Sequence, residues 1–259
     1  MSGSVQGVGR IDAGRGRSAT KNGQGALVSR ILELVDAVRR KYPSDAFFRD
    51  FEASCRRHPD KRRAYRTYDD ALRFLDERSW AILRAKAMAH FRDHRTGNLK
   101  QGFFNQLNES FAYRHLVCSG ATTVELLPER ATPTPDIGYS VQGLRMHCEV
   151  KTLSISDEEI GRRGSGQAFV NAYVELSEGF LNKLLSTVRA ARRQIASQGT
   201  AGLTYLVVEF DDIALDCYQH YRRQLASFAR GHGITDVHVK WGLRGRRRMS
   251  LVAHRPSAG

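Results

Sequence analysis

The stretch PDIGYSVQGLRMHCEVK, residues 135–151, has the pattern of a β-hairpin. Apolar residues alternate with other residues on both sides of Gln142-Gly143, a pair typical of a tight turn. Each residue before this turn then faces the residue at the same distance after it, so Asp136 faces Glu149. Lys151 points to the same side of the strand as Glu149, because side chains alternate with a period of two. The stretch therefore predicts two carboxylates and an ammonium group at one place in a sheet.

The predicted pair of carboxylates needs a counter-charge. Two ionised carboxylates about 5 Å apart repel each other by roughly 3 kcal/mol at an effective dielectric constant of about 20. A divalent cation between them removes this repulsion, and Mg²⁺ prefers such oxygen ligands. Lys151 can offset the remaining negative charge beside a metal-bound water. The alternative is an ordinary solvated polar face with Lys151 as a charge partner, and the spacing alone does not decide between the two.

A helix precedes the hairpin and carries a further acid. The apolar pattern predicts a helix over residues 103–118 with two apolar stripes, one through Leu107 and one through Ala112. A helix that is apolar over so much of its circumference is packed on two sides. Glu109 borders the buried part of this helix, although an exposed helix glutamate is the commoner case.

Charge is the most informative property of the composition. The 259-residue chain has 41 Lys and Arg against 27 Asp and Glu, which gives a net charge of +14 and a pI near 10.0. This excess favours a polyanionic partner, and nucleic acid is the commonest one. An anionic membrane surface fits less well, since the basic segments lack the pattern of an interfacial helix. No apolar run approaches the length of a membrane span and no signal peptide is evident, so we expect a cytoplasmic protein.

Composition and periodicity divide the chain into three parts, of which the last contains the hairpin. Residues 1–25 are rich in Gly, Ser and Arg and are predicted to form a disordered basic arm. Residues 26–97 have helical periodicity, with Thr67 and Asp70 as a capping box that opens the third helix. His90 and His94 have a spacing that can chelate zinc, but without a third ligand we expect a surface or interface pair.

The segments after the hairpin continue the α/β pattern. A polar loop follows Lys151, then a helix over residues 177–197, a buried strand over 203–210, a helix over 215–230 and two short strands. Arginines in the loop and in the last turn are candidates for phosphate contacts, with a surface insertion and a solvated turn as the alternatives. They are Arg162, Arg163, Arg244, Arg246, Arg247 and Arg248.

This element order and motif resemble the PD-(D/E)XK nuclease superfamily, which includes restriction endonucleases and Holliday-junction resolvases. The motif consists of Pro135-Asp136 and Glu149-Val150-Lys151, and the resemblance covers about residues 103–241. It implies an α/β fold with a restriction-endonuclease-like mixed β-sheet core flanked by helices, within a domain at 98–259. The helical region before it is not covered, and its residues are compatible with target recognition or with formation of a homodimer.

The resemblance also implies a role for each motif residue. Asp136 and Glu149 would bind Mg²⁺, or Mn²⁺ as an alternative ion, together with the backbone carbonyl of Val150. Lys151 would position or activate the attacking water, and Glu109 would orient a metal-bound water or serve a second metal ion. Two residues of the helix at 177–197 correspond more loosely to a Gln or basic residue near the site in many members. They are Gln194 and Arg193.

The function expected from this resemblance is a Mg²⁺-dependent DNA endonuclease that leaves 5′-phosphate ends. The alternative is a nucleic-acid-binding module that keeps the fold but does not cleave. The presence of all four polar residues of the motif favours the enzyme, because a binding module has no need of Asp136 opposite Glu149.

Overall fold

The computed structural model describes residues 29–94, 99–130, 132–154, 175–209, 217–242 and 248–251. The predicted basic arm at 1–25 and the side chains of the arginines proposed for the loop and the last turn lie outside what it describes. Within the described ranges, no helix combines the length and the apolar character needed to cross a bilayer.

The N-terminal region is helical, as its periodicity predicts. It contains α1 (Ser29–Lys41), α2 (Phe51–Arg57), α3 (Pro59–Leu72) and α4 (Glu77–Ala89), followed by one 3₁₀ turn (His90–Arg92). The capping box at Thr67 is wrong, because α3 begins at Pro59 and Thr67 lies inside it. Asp76 caps the next helix instead, since its carboxylate accepts a hydrogen bond from the Ser79 amide at 2.6 Å.

The rest of the described chain contains three helices and a mixed six-stranded sheet. The elements are α5 (Gln101–Cys118), β1 (Thr122–Leu126), β2 (Ile137–Val141), β3 (Leu144–Leu153), α6 (Glu178–Ala196), β4 (Gly202–Val208), α7 (Tyr218–Gly231), β5 (Val237–Trp241) and β6 (Arg248–Ser250). The strands lie in the order β1-β2-β3-β4-β5-β6; β3 runs parallel to β4, β4 runs parallel to β5, and the remaining neighbours are antiparallel. The α/β class, the element order and the mixed sheet agree with the prediction.

The hairpin register predicted from the turn is confirmed. Ile137 faces Cys148 and Val141 faces Leu144 across the β2–β3 ladder. Gln142 and Gly143 both have positive φ, at 52° and 79°, as a type I′ turn requires. Asp136 directly precedes β2, so it enters the sheet beside Glu149.

β3 and β4 come unusually close where β4 begins. Gly202 faces His147, and a Cβ atom at position 202 would overlap the carbonyl oxygen of His147. Only a glycine therefore allows this approach. The contact fixes the start of the parallel pairing that brings Glu149 beside Thr204.

Two clusters of buried side chains cover the sheet. The first joins apolar residues of α1 to α5 with residues of β1 to β4, among them Cys148, Val150 and Tyr205. The second joins α6 and α7 with Leu153, Leu206 and other residues of β3, β4 and β5. The helical region and the sheet thus share one continuous core, and β3 contributes side chains to both clusters.

Candidate active site

Two hydrogen bonds, one to its main chain and one to its side chain, hold Asp136 directly before β2. Its carbonyl oxygen accepts a hydrogen bond from the Leu127 amide at 2.8 Å. Its carboxylate atom Oδ2 accepts a hydrogen bond from the Val150 amide at 2.8 Å. These contacts fix the Asp136 side chain against β3, next to Glu149, in agreement with the predicted register.

Glu149 is buried, whereas its ion-pair partner Lys151 reaches toward solvent. Glu149 is 1% exposed, so the solvated-face alternative does not describe this residue. Its atom Oε1 accepts a hydrogen bond from Lys151 Nζ, and its Oε2 is buried without a hydrogen-bond partner among the described residues. Burial, and then the negative charge of Asp136, raise the pKa of Glu149 to about 7. A buried carboxylate with a raised pKa and an unused oxygen is the environment that a bound cation would stabilise.

Glu109 reaches the same place from helix α5. It is 4% exposed, and Lys86 Nζ donates a hydrogen bond to its Oε1 at 2.5 Å. The second oxygen, Oε2, is buried and accepts no hydrogen bond from the part of the chain that the structure describes. Burial and the charge of Asp136 raise the pKa of Glu109, and Lys86 offsets part of that rise. Glu109, which the sequence predicted to border the buried part of its helix, therefore lies in the site.

Lys86 is the residue of this site that the sequence reasoning missed. It belongs to α4, is 6% exposed, and its ammonium group also lies 3.4 Å from Asp136 Oδ1. Burial lowers the pKa of Lys86, but the charges of Glu109 and Asp136 more than reverse this and raise it to about 12. In the structure Lys86 lies three residues after the buried Leu83, on the same face of α4, but the apolar residues of this helix did not mark that face in the sequence. We refer to Lys86, Glu109, Asp136, Glu149 and Lys151 as the carboxylate–lysine cluster.

A line of polar contacts ties α5 to β3 beside this cluster. Tyr68 donates a hydrogen bond to the Asn108 side-chain oxygen at 3.1 Å, and the Asn108 side-chain amide donates one to Thr152 Oγ1 at 2.9 Å. At the start of α5, the Gln101 side-chain amide donates a hydrogen bond to Ser154 Oγ at 3.1 Å. Because Asn108 precedes Glu109 and Thr152 follows Lys151, these contacts set the distance between the helix acid and the strand residues.

The two predicted residues of α6 have different surroundings. The Gln194 side-chain amide donates a hydrogen bond to the Thr134 carbonyl at 2.8 Å, so Gln194 supports the segment that leads into Asp136. Arg193 is exposed. Its neighbour Arg192 forms a salt bridge with Asp236 and is therefore engaged within the fold.

His90, the first residue of the predicted histidine pair, contacts two carboxylates. The ring of His90 contacts Asp93 at 2.5 Å and Glu129 at 3.1 Å, and His94 is exposed. Burial lowers the pKa of His90, but its hydrogen bonds to the two carboxylates raise it more, so the pKa lies above its usual value. His90 is thus a contact between the end of α4 and the segment that precedes β2.

The donor atoms of the cluster suit a hard divalent cation. Asp136 and Glu149 supply carboxylate oxygens, the Val150 carbonyl is adjacent, and Glu149 Oε2 is not used by any described residue. Mg²⁺ is commonly held by one or two carboxylates and keeps several waters, so these donors fit it. No set of three or more His, Cys, Asp or Glu residues in the described ranges has metal-site spacing. The ammonium groups of the two lysines lie beside the three carboxylates instead.

No protein-family model, curated protein or solved structure matches the chain. The carboxylate–lysine cluster is therefore the feature from which a function can be inferred.

Proposed function

We propose that this protein is a metal-dependent endonuclease that hydrolyses phosphodiester bonds in DNA, with a fold of the PD-(D/E)XK type. The observation that carries the proposal is the convergence of Glu109, Asp136, Glu149 and Lys151 in one partly buried cluster. These residues come from a helix, a strand entrance and a neighbouring strand, in the order that the resemblance implies. A structural hairpin has no use for three carboxylates of which two keep a buried oxygen that no described residue contacts by a hydrogen bond.

In this proposal Asp136, Glu149 and the Val150 carbonyl would hold Mg²⁺, which would supply Lewis-acid polarisation of the phosphate and a lowered pKa for the attacking water. The Val150 amide holds one oxygen of Asp136 and leaves the other directed toward the cluster. Lys151 is the one lysine of the cluster that reaches solvent, with a side chain 34% exposed. Its ammonium group orients the attacking water and stabilises negative charge that develops on the phosphate oxygens.

The net charge of +14 supports a nucleic-acid substrate, because each neutralised phosphate contributes to affinity. Exposed basic side chains of the described helices are available for such contacts. They include Arg193 on α6, Arg56 and Arg57 on α2, and Arg63 on α3.

The test is a cleavage assay with Mg²⁺ on plasmid DNA, single-stranded DNA and RNA. The wild type is compared with Lys151→Ala and with Lys41→Ala, an exposed lysine at the end of α1 that serves as the matched control. We expect the wild type and Lys41→Ala to nick plasmid DNA at equal rates and Lys151→Ala to be inactive. Chelation of the metal should abolish cleavage by both active proteins.

A module that binds nucleic acid without cleaving it is the second candidate. It is favoured by the lysine contacts of all three carboxylates, which let the cluster be stable without a metal ion. Equal binding of a labelled duplex by wild type and Lys151→Ala, with no cleavage of any substrate by either, would establish this module and refute the nuclease.

A further inference from the structure

The carboxylate–lysine cluster contains a cation that the chain itself supplies. Lys86 Nζ lies 2.5 Å from Glu109 Oε1 and 3.4 Å from Asp136 Oδ1, and it is almost fully buried. Its burial and its contacts with two carboxylates hold the ammonium group in this position. The position between Glu109 and Asp136 is therefore occupied by a permanent positive charge.

We propose that Lys86 acts as a fixed cation that limits the site to a single divalent ion, bound on the Asp136–Glu149 side. This inference rests on the proposed metal-dependent function and specifies how many ions the site takes. It also makes the helical region, which the resemblance does not cover, a working part of the site.

The donors for a second ion are present, so charge is what excludes it. Glu109 keeps a buried oxygen, Oε2, that no described residue uses, and Asp136 is within reach of the same ammonium group. A divalent ion bound to the Glu109 carboxylate would lie within about 5 Å of the ammonium nitrogen, given ordinary metal–oxygen distances. Two positive charges at this separation repel each other strongly when both are buried. On the other side of the cluster, Glu149 Oε2 is buried and accepts no hydrogen bond from a described residue, so its lone pairs remain for an ion.

The test counts bound ions in the absence of DNA. Mn²⁺ is titrated into the protein, and free Mn²⁺ is followed by electron paramagnetic resonance, with calorimetry as a second measurement. Lys86→Gln removes the charge but keeps a donor for Glu109, and Lys86→Arg keeps the charge. Lys86→Gln combined with Glu109→Gln also removes the ligand for a second ion, so it shows whether a second ion in Lys86→Gln binds through Glu109, and the wild-type count tests the proposal where Lys86→Gln does not fold.

We expect one Mn²⁺ per chain for wild type, Lys86→Arg and the double variant, and two for Lys86→Gln. Two ions in the wild type, or one ion in a folded Lys86→Gln protein, would overturn the role of Lys86. In either of those cases, metal-dependent cleavage by the wild type would leave the proposed function standing. A wild type that binds no Mn²⁺ and cleaves no DNA would refute both proposals together.

Discussion

Two lysines of the same cluster come from different regions of the molecule and have different surroundings. Lys86 comes from the helical region, has a side chain 6% exposed and contacts two carboxylates. Lys151 comes from the sheet, has a side chain 34% exposed and contacts Glu149. Each carries the same charge, but only Lys151 can reach a substrate that arrives from solvent.

The difference separates stability from chemistry within one cluster. A buried ammonium group compensates buried carboxylates, so its removal leaves charge without a partner in a region of low dielectric constant. A partly exposed ammonium group is screened by water and contributes little to stability. We therefore expect a substitution of Lys86 mainly to lower the stability of the fold and a substitution of Lys151 mainly to lower the rate of cleavage.

The largest effect is expected for Lys86→Met. Removal of the ammonium group leaves Glu109 and Asp136 uncompensated, and the free energy of unfolding should fall by about 3–5 kcal/mol. Urea denaturation followed by circular dichroism measures this change. Glu109→Gln added to Lys86→Met should recover part of the loss, because it removes one uncompensated charge. An unchanged midpoint for Lys86→Met would contradict the structural role of the contact.

Lys151→Met should have its effect on the reaction instead. Loss of a preorganised donor near the reacting phosphate should lower the rate constant of DNA cleavage about 10²–10³-fold. The free energy of unfolding should fall by less than for Lys86→Met, because the Lys151 ammonium group is partly exposed and Glu149, whose pKa is already raised to about 7, can take up a proton when its partner is removed. Single-turnover cleavage and urea denaturation of the same preparation separate the two. If Lys151→Met lowered the free energy of unfolding as much as Lys86→Met does, the two lysines would not differ in their contribution to stability.

Asn108→Ala tests the polar line that connects the helical region to β3. It leaves Tyr68 and Thr152 without their shared partner, and we expect a loss of about 1–3 kcal/mol in the free energy of unfolding. Tyr68→Phe is the matched control, because it removes one hydrogen bond and keeps the ring packed on Phe111. The free energy of unfolding should fall less for Tyr68→Phe than for Asn108→Ala. The reverse order would show that Asn108 is not the residue that links Tyr68 to Thr152.

The smallest effect is expected at His90. Because its pKa is raised in the folded protein, its contacts with Asp93 and Glu129 add stability below the usual histidine pKa, near 6.5. This contribution disappears as the pH rises through the folded-state pKa. The melting temperature of His90→Gln should therefore fall below that of the wild type at about pH 5.5 and match it at about pH 8.5. A difference that grows with pH would contradict the assigned contacts.

The sequence predicted the hairpin side of the cluster better than the helical side. A period of two and a two-residue turn determine which residues share a face, so the positions of Asp136, Glu149 and Lys151 followed from local pattern. Lys86 contacts residues 23 and 50 positions away in the chain. Local periodicity does not identify a partner at that separation. The misplaced cap at Thr67 has a local cause instead, because the proline at the first position of α3, Pro59, had already begun the helix.

The close approach at Gly202 has a consequence for mutational screening. Gly202 is only partly buried and lies opposite His147 rather than a member of the cluster. Burial and distance from the site alone would therefore predict that substitutions at this position have little effect. Any side chain there would meet the His147 carbonyl and push apart the two strands on which Glu149 depends. In a library scored by cleavage, position 202 should therefore tolerate as few substitutions as a residue that touches the substrate.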